Sequence, residues 1–280
     1  MFNRILCPVD FSADSLTALD QASEIAHRHD AVVYALHVEF VPMNSPDQIA
    51  HFAHVSQKPD QLELDRIAQA HLAGIRRHLM VKSGWPGKVI ESVADEVQAD
   101  LIVMARKGWG GTSRGLSGVA EHVIRAAKCP VLSLPYETPF EGLRRILCPL
   151  DFDSNSATAL SCAGRMAQEY GADLILLHVI PESEEVFSAP TTSQSDLDAV
   201  ARIMNAADQN LGTRSGFEVL IRRGNPAQEI LAIEKQRKPG LIVMATHGRT
   251  GLSYLFLGSV VIRVVRESET AILTVQTRSR

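Results

Sequence analysis

A chain of 280 residues is long enough for about two domains, each able to bury a core without disulfide or metal staples. Hydrophobic residues make up 45% and charged residues 21%, an ordinary globular balance, and no apolar run approaches the ~18 residues that would span a bilayer. A formal net charge of −4 and a pI of about 6.2 leave no overall positive field, which argues against bulk nucleic-acid binding.

The chain opens directly on a strand-like run, without the basic segment and long apolar stretch of a secretory leader, so a cytoplasmic location is expected. That run, 4–9, is short and apolar and reads as a buried strand. Ser12 is placed to cap an amphipathic helix to about residue 29, with Leu16, Leu19, Ala22, Ile25 and Ala26 on one face. Residues 31–38 form the second strand. A polar stretch, 43–59, leads to a helix over about 59–78, and 79–82 is a weak third strand. A glycine–proline turn opens a helix over 86–97, since proline suits the first helical position. Residues 101–105 are a fully apolar fourth strand. A glycine-rich loop, a helix over about 118–127 and a fifth strand at 131–134 complete the series.

Pro135, Pro139 and Gly142 mark a short linker, after which the order repeats. Strands are expected at 145–150, 173–179, 217–222, 241–245 and 271–275, and helices at 154–170, about 194–211, 226–236 and 258–267. The repeat is visible in the letters. Residues 4–11 (RILCPVDF) and 145–152 (RILCPLDF) agree at seven of eight positions, at an offset of 141. Residues 101–105 (LIVMA) recur at 241–245, at an offset of 140. His37-Val38 recurs as His178-Val179, and Gly84-Trp85-Pro86 as Gly224-Asn225-Pro226. Such ordered landmarks mean duplication, here into domains at 1–137 and 143–280. Apolar strands alternating with helices predict two tandem doubly wound α/β domains, each with a five-stranded parallel sheet covered on both faces. In such sheets ligands bind at the carboxyl ends of the strands, beside the switch in strand order.

Two features of each copy fall at those ends. Asp10 and Asp151 follow the first strands. After the fourth strand, Ala105-Arg106-Lys107-Gly108 is followed by nine residues and Gly118-Val119-Ala120. In the second copy, Ala245-Thr246-His247-Gly248 is followed by nine residues and Gly258-Ser259-Val260. Glycine lets the backbone approach an anion closely, and a helix N-terminus presents free N–H groups and the positive end of its dipole. Ser259 adds a hydroxyl. A plain tight turn with a helix cap would use the same letters, and both readings stand at this level.

Other constellations carry less. Residues 84–88 (GWPGK) lack the full phosphate-loop spacing, and the copy at 224–228 lacks the second glycine and the lysine, so a strand-to-helix turn is expected. His51, His54, His71 and His78 find no carboxylate or thiolate partners at ligand spacing, and no metal site is read. His37 and His178 are expected to be hydrogen-bonded core histidines. Cys7, Cys129, Cys148 and Cys162 form no C-x-x-C pair, and Cys7 and Cys148 sit in apolar runs as small hydrophobes. No nucleophile–base pair or G-x-S-x-G elbow is found, so no catalytic residue is named.

The strand-end aspartate, the His-Val of strand two and the A-T-H-G, nine-residue, G-S spacing resemble the universal stress protein family, over nearly the whole chain and as two tandem domains. The resemblance implies that family's adenine nucleotide alpha hydrolase-like fold and an ATP-binding pattern, G-x-x-G, nine residues, G-[S/T]. Ala105 and Ala245 replace its first glycine, and Val119 removes a phosphate-binding hydroxyl from the first copy. By resemblance, Pro149 and Asp151 lie beside the adenosine, Val179 pairs with adenine through its backbone, Met244 and Ala245 flank the nucleoside, and Gly248, Gly258, Ser259 and Val260 cradle the phosphates. Pro8, Asp10, Val38, Met104, Ala105, Gly108, Gly118, Val119 and Ala120 are the first copy's counterparts.

Since a charge-assisted hydrogen bond contributes roughly 1.5–3 kcal/mol, ATP is expected to bind the second copy about tenfold more tightly, or better. Gly110, Gly111, Thr112, Ser113, Arg114, Arg106 and Lys107 offer the first copy partial compensation. Asp10 and Asp151 could reach a Mg²⁺ carried by the phosphates. The resemblance implies a nucleotide-dependent stress sensor or switch, with at most slow ATP hydrolysis. It also implies pairing of the two domains through their last strands, a homodimer of chains and a further protein partner. The alternative is a stress-response scaffold that binds no nucleotide and acts through protein contacts.

Overall fold

The computed structural model describes residues 1–40, 57–108, 116–135, 143–151, 154–181, 194–210, 216–246 and 258–276. It divides into two units, Met1–Pro139 and Phe140–Arg280. The first runs β1 (Arg4–Pro8), α1 (Ala13–His29), β2 (Val32–Phe40), α2 (Gln57–His71), β3 (Arg77–Gly84), α3 (Pro86–Glu96), β4 (Leu101–Ala105), α4 (Gly118–Ala126) and β5 (Val131–Leu134). The second runs β6 (Arg145–Leu150), α5 (Ser154–Tyr170), β7 (Asp173–Ile180), α6 (Gln194–Asn210), β8 (Phe217–Arg223), α7 (Pro226–Arg237), β9 (Leu241–Ala245), α8 (Ser259–Glu267) and β10 (Ala271–Val275).

Within the first unit the strands lie in the order β3-β2-β1-β4-β5, and within the second β8-β7-β6-β9-β10, all parallel. The doubly wound expectation is met in both. Inner strands are covered on both faces, so their sequences are unbroken apolar runs: Ile5, Leu6 and Cys7 are fully buried, as are Ile146, Leu147 and Cys148. The outer strands β3 and β8 are only half buried, and their pattern in the letters is correspondingly weak.

Helix α1 shows how local sequence and packing agree. Ser12 accepts the Ser15 N–H at 3.3 Å, and the chain leaves the helix through Asp30 in the left-handed region (φ 52°). Leu19, Ala22, Ile25 and Ala26 pack inward, whereas Leu16 is only half buried. Burial of a side chain such as Leu19 contributes roughly 1.5–3 kcal/mol.

One expectation fails. The helix expected to reach residue 78 stops at His71, and Arg77 and His78 are already strand. Gly74 takes φ 75° and ends the helical path. Arg77 and His78 then pair with Val33 and Tyr34, and the His78 ring stacks on Tyr34 with centroids 5.0 Å apart. The strand-to-helix turns at 84–86 and 224–226 are as expected, with Gly84 and Gly224 at φ 143° and 133° and a proline opening each helix.

Candidate functional site

In the first unit the switch in strand order lies between β1 and β4, whose carboxyl ends open on one crevice. On leaving β1, Val9 donates to the Leu36 carbonyl at 2.8 Å and so remains paired with β2. The Asp10 N–H donates to Ser15 Oγ at 3.3 Å. Ser12 donates to Asp10 Oδ1 twice, from its N–H at 3.1 Å and from its hydroxyl at 2.5 Å. Phe11 stands between them at φ 64°, a backbone strain of about 1–2 kcal/mol in a residue with a Cβ. Its ring stacks on His37, centroids 4.2 Å apart, and His37 Nδ1 donates to the Val9 carbonyl at 2.8 Å. His37 is thus the hydrogen-bonded residue expected, and it braces the turn that aims Asp10.

On leaving β4, Arg106 donates its N–H to Leu134, and Ser117 returns to donate to the Arg106 carbonyl at 2.8 Å. Gly108 lies against Asp10, where a Cβ would overlap the carboxylate Oδ2. Ser117 caps α4, its Oγ accepting the Ala120 N–H at 3.1 Å.

These segments enclose a cavity of about 510 Å³. Pro8, Val9 and Asp10 supply one wall, with Ser15 behind them. Leu36, Val38 and Phe40 of β2 supply a second, and Pro86 and Ile90 of α3 a third. Met104, Ala105, Lys107 and Gly108 close the β4 side, and Ser117, Gly118 and Val119 bring in the start of α4. Eight of the nine residues named for the first copy therefore line one cavity, and Ala120 does not. Ala120 is on the buried face of α4, with its N–H taken by Ser117. Arg106, named as a source of charge, is 3% exposed and directed at Ser133, donating to its Oγ and its carbonyl at 3.3 Å each. Lys107 lines the cavity instead. Residues 110–114 lie outside the described residues.

In the second unit Pro149, Asp151, Val179, Met244 and Ala245 stand at the carboxyl ends of β6, β7 and β9, and Gly258, Ser259 and Val260 at the start of α8. Gly248 lies outside the described residues. The Asp151 N–H donates to Ser156 Oγ at 3.2 Å, and that hydroxyl donates to the Asp151 carboxylate. His178 Nδ1 donates to the Leu150 carbonyl at 2.7 Å.

The hydrogen bonds of the two copies pair their glycine loops differently from the letters. Gly258 is the N-cap of α8 and donates to the Thr246 carbonyl at 3.1 Å; in the first copy the N-cap making that bond is Ser117. Buried Ala120, Val123 and Ile124 answer to Val261, Val264 and Val265, and buried Ser133 on β5 to Thr274 on β10. The offset has returned to 141 because the first loop is one residue shorter: eight residues separate Gly108 from Ser117, and nine separate Gly248 from Gly258. Gly118 therefore stands where the second copy has Ser259, and Val119 where it has Val260. The first copy still lacks the hydroxyl, but the residue in its place is Gly118, not Val119.

Several wall residues escaped the reading of motifs. Ser15 recurs as Ser156 at the repeat offset of 141 and was open to detection. Phe40, Pro86 and Ile90 enter only through the folding of β2 and α3 around the crevice, and Ser117 was hidden by aligning glycine with glycine.

The model of the universal stress protein family matches residues 1–135 and again 142–276. A universal stress protein of Mycolicibacterium smegmatis is 24% identical over 294 residues, covering 98% of this chain and 97% of its own. One from Synechocystis is 36% identical over 139 residues, covering 48% of this chain and 87% of its own. Among solved structures, a universal stress protein from Archaeoglobus fulgidus shares the fold with a TM-score of 0.77 at 22% identity, over 98% of both chains.

Proposed function

The chain belongs to the universal stress protein family, as two copies of its domain, and on that premise we propose that it binds adenine nucleotide, ATP in the first instance, as a stress-response sensor or switch. The observation that carries this reading is the cavity at the β1–β4 switch point. Its volume of about 510 Å³ falls in the range of roughly 300–1,000 Å³ usual for small-molecule sites. It joins an aspartate, an apolar slot and a helix N-terminus, the three surfaces that ribose, base and phosphate require.

In this reading Asp10 and Asp151 hold the ribose, and the backbones of Val38 and Val179 meet the adenine edge. Met104 and Ala105, with Met244 and Ala245, flank the nucleoside. Gly108 and the start of α4, with Gly248 and the start of α8, take the phosphates. A Mg²⁺ would arrive on the phosphates and keep most of its waters, with Asp10 or Asp151 the nearest carboxylate. The second copy is the better phosphate site for two reasons. Ser259 contributes a hydroxyl, and Gly258 has no side chain with which to occupy the first-turn donors that Ser117 takes in the first copy.

The test is the nucleotide content of the purified chain, released by heat and separated by chromatography, followed by calorimetric titration with ATP. Asp151→Ala is expected to remove the tighter class of sites and Asp10→Ala the weaker. Absence of any adenine nucleotide binding by the intact chain defeats the reading, and equal affinities defeat the ranking.

A further inference from the structure

Phe40 and Trp85 are large aromatic residues left 52% and 55% exposed, and they touch each other edge to face with ring centroids 5.3 Å apart. Phe40 is the outermost of three alternate β2 residues, Leu36, Val38 and Phe40, that face the cavity. Its β3 partner is Gly84, which has no side chain to cover it. Trp85 occupies the N-cap of α3 without making a capping bond. In the second copy that position is Asn225, whose Oδ1 accepts the Gln228 N–H at 3.2 Å, and the counterpart of Phe40 is Pro181. The first copy has therefore exchanged a helix cap for an exposed aromatic ring that touches Phe40, a second exposed ring and one that lines its cavity. The lost cap disfavours the fold, and two exposed aromatic rings in contact are the kind of apolar patch that marks a binding surface.

We propose that Phe40 and Trp85, packed edge to face, form an aromatic platform on which the planar base of the ligand of the first site stacks, so that this copy recognises the base end while the second favours the phosphate end. The proposal rests on the nucleotide-binding reading above. Stacking on an aromatic ring suits any heteroaromatic base and compensates for the phosphate contacts that Ser117 and Gly118 withhold.

Trp85 and Trp109 are the two tryptophans, so in a Trp109→Phe chain the emission reports on Trp85 alone. Adenosine is expected to quench it saturably, and ribose 5-phosphate, which lacks the base, is not. Phe40→Ala should weaken adenosine binding at this site by about fivefold or more, and Phe40→Tyr should restore it. In an Asp151→Ala background, adenosine binding seen by calorimetry without any change in Trp85 emission overturns this platform and leaves the nucleotide reading standing. A Phe40→Ala affinity within twofold of the parent does the same. No calorimetric response to adenosine or ATP, in this chain or in the parent, overturns both.

Discussion

Asp10 is held from three sides: Ser12 on Oδ1, Ser15 beneath its N–H and Gly108 against Oδ2. None of these contacts alone marks a site, but together they fix a carboxylate at the mouth of a crevice in a single orientation. Gly108 is required here for space. Gly108→Ala is expected to displace the Asp10 carboxylate and lower first-site ATP affinity by about tenfold, the scale of one charge-assisted hydrogen bond. Calorimetry in an Asp151→Ala background reads that site alone, and an unchanged affinity would show that the orientation of Asp10 is immaterial. The aspartate was legible in the letters because it follows an apolar strand in both copies. Its contact with Gly108 was not, since nothing in local spacing joins residues 10 and 108.

At the scale of elements, the decisive feature is how each helix begins. Helices α4 and α8 have the same buried face and the same place in the sheet, but one starts on serine and the other on glycine. Serine satisfies a first-turn N–H from its own side chain, whereas glycine leaves that donor to water or a ligand. Exchanging the pair, Ser117→Gly with Gly118→Ser, writes the second copy's Gly-Ser onto the first. The exchange should raise first-site ATP affinity about tenfold and cost the helix only a few tenths of a kcal/mol. Calorimetry measures the gain, and no gain would place the serine hydroxyl away from the phosphates. The caps of α3 and α7 offer a parallel case. Asn225→Ala should weaken the start of α7 by about 1 kcal/mol, seen as roughly fivefold faster amide exchange in its first turn. Trp85→Ala should not speed exchange at α3 through loss of a cap, because Trp85 makes none.

Over the whole molecule, both units bury their cores around inner strands, with Cys7 and Cys148 as filler on β1 and β6, Cys162 on α5 and Cys129 just before β5. All four cysteines are buried and none is in a disulfide, and burial pushes the Cys162 thiol up to about 11. A thiol reagent at neutral pH is therefore expected to titrate none of them in the native chain and four in denaturant. A fast-reacting thiol in the native protein would show that the core around that cysteine opens readily. The duplication, the alternation of strand and helix, the parallel sheets and the strand-end aspartates were determined by sequence alone. Each is written in short-range periodicity or in the identity of two segments, and burial on both faces enforces the apolar runs that reveal them. The early end of α2, the burial of Arg106, the Asp10–Gly108 contact and the aromatic rim were decided only in three dimensions. The register of the glycine loops belongs with them, for a definite reason. Serine and glycine are both good N-cap residues, so matching letters sets Gly118 against Gly258, while the packing of Ala120, Val123 and Ile124 onto the sheet sets Ser117 there instead.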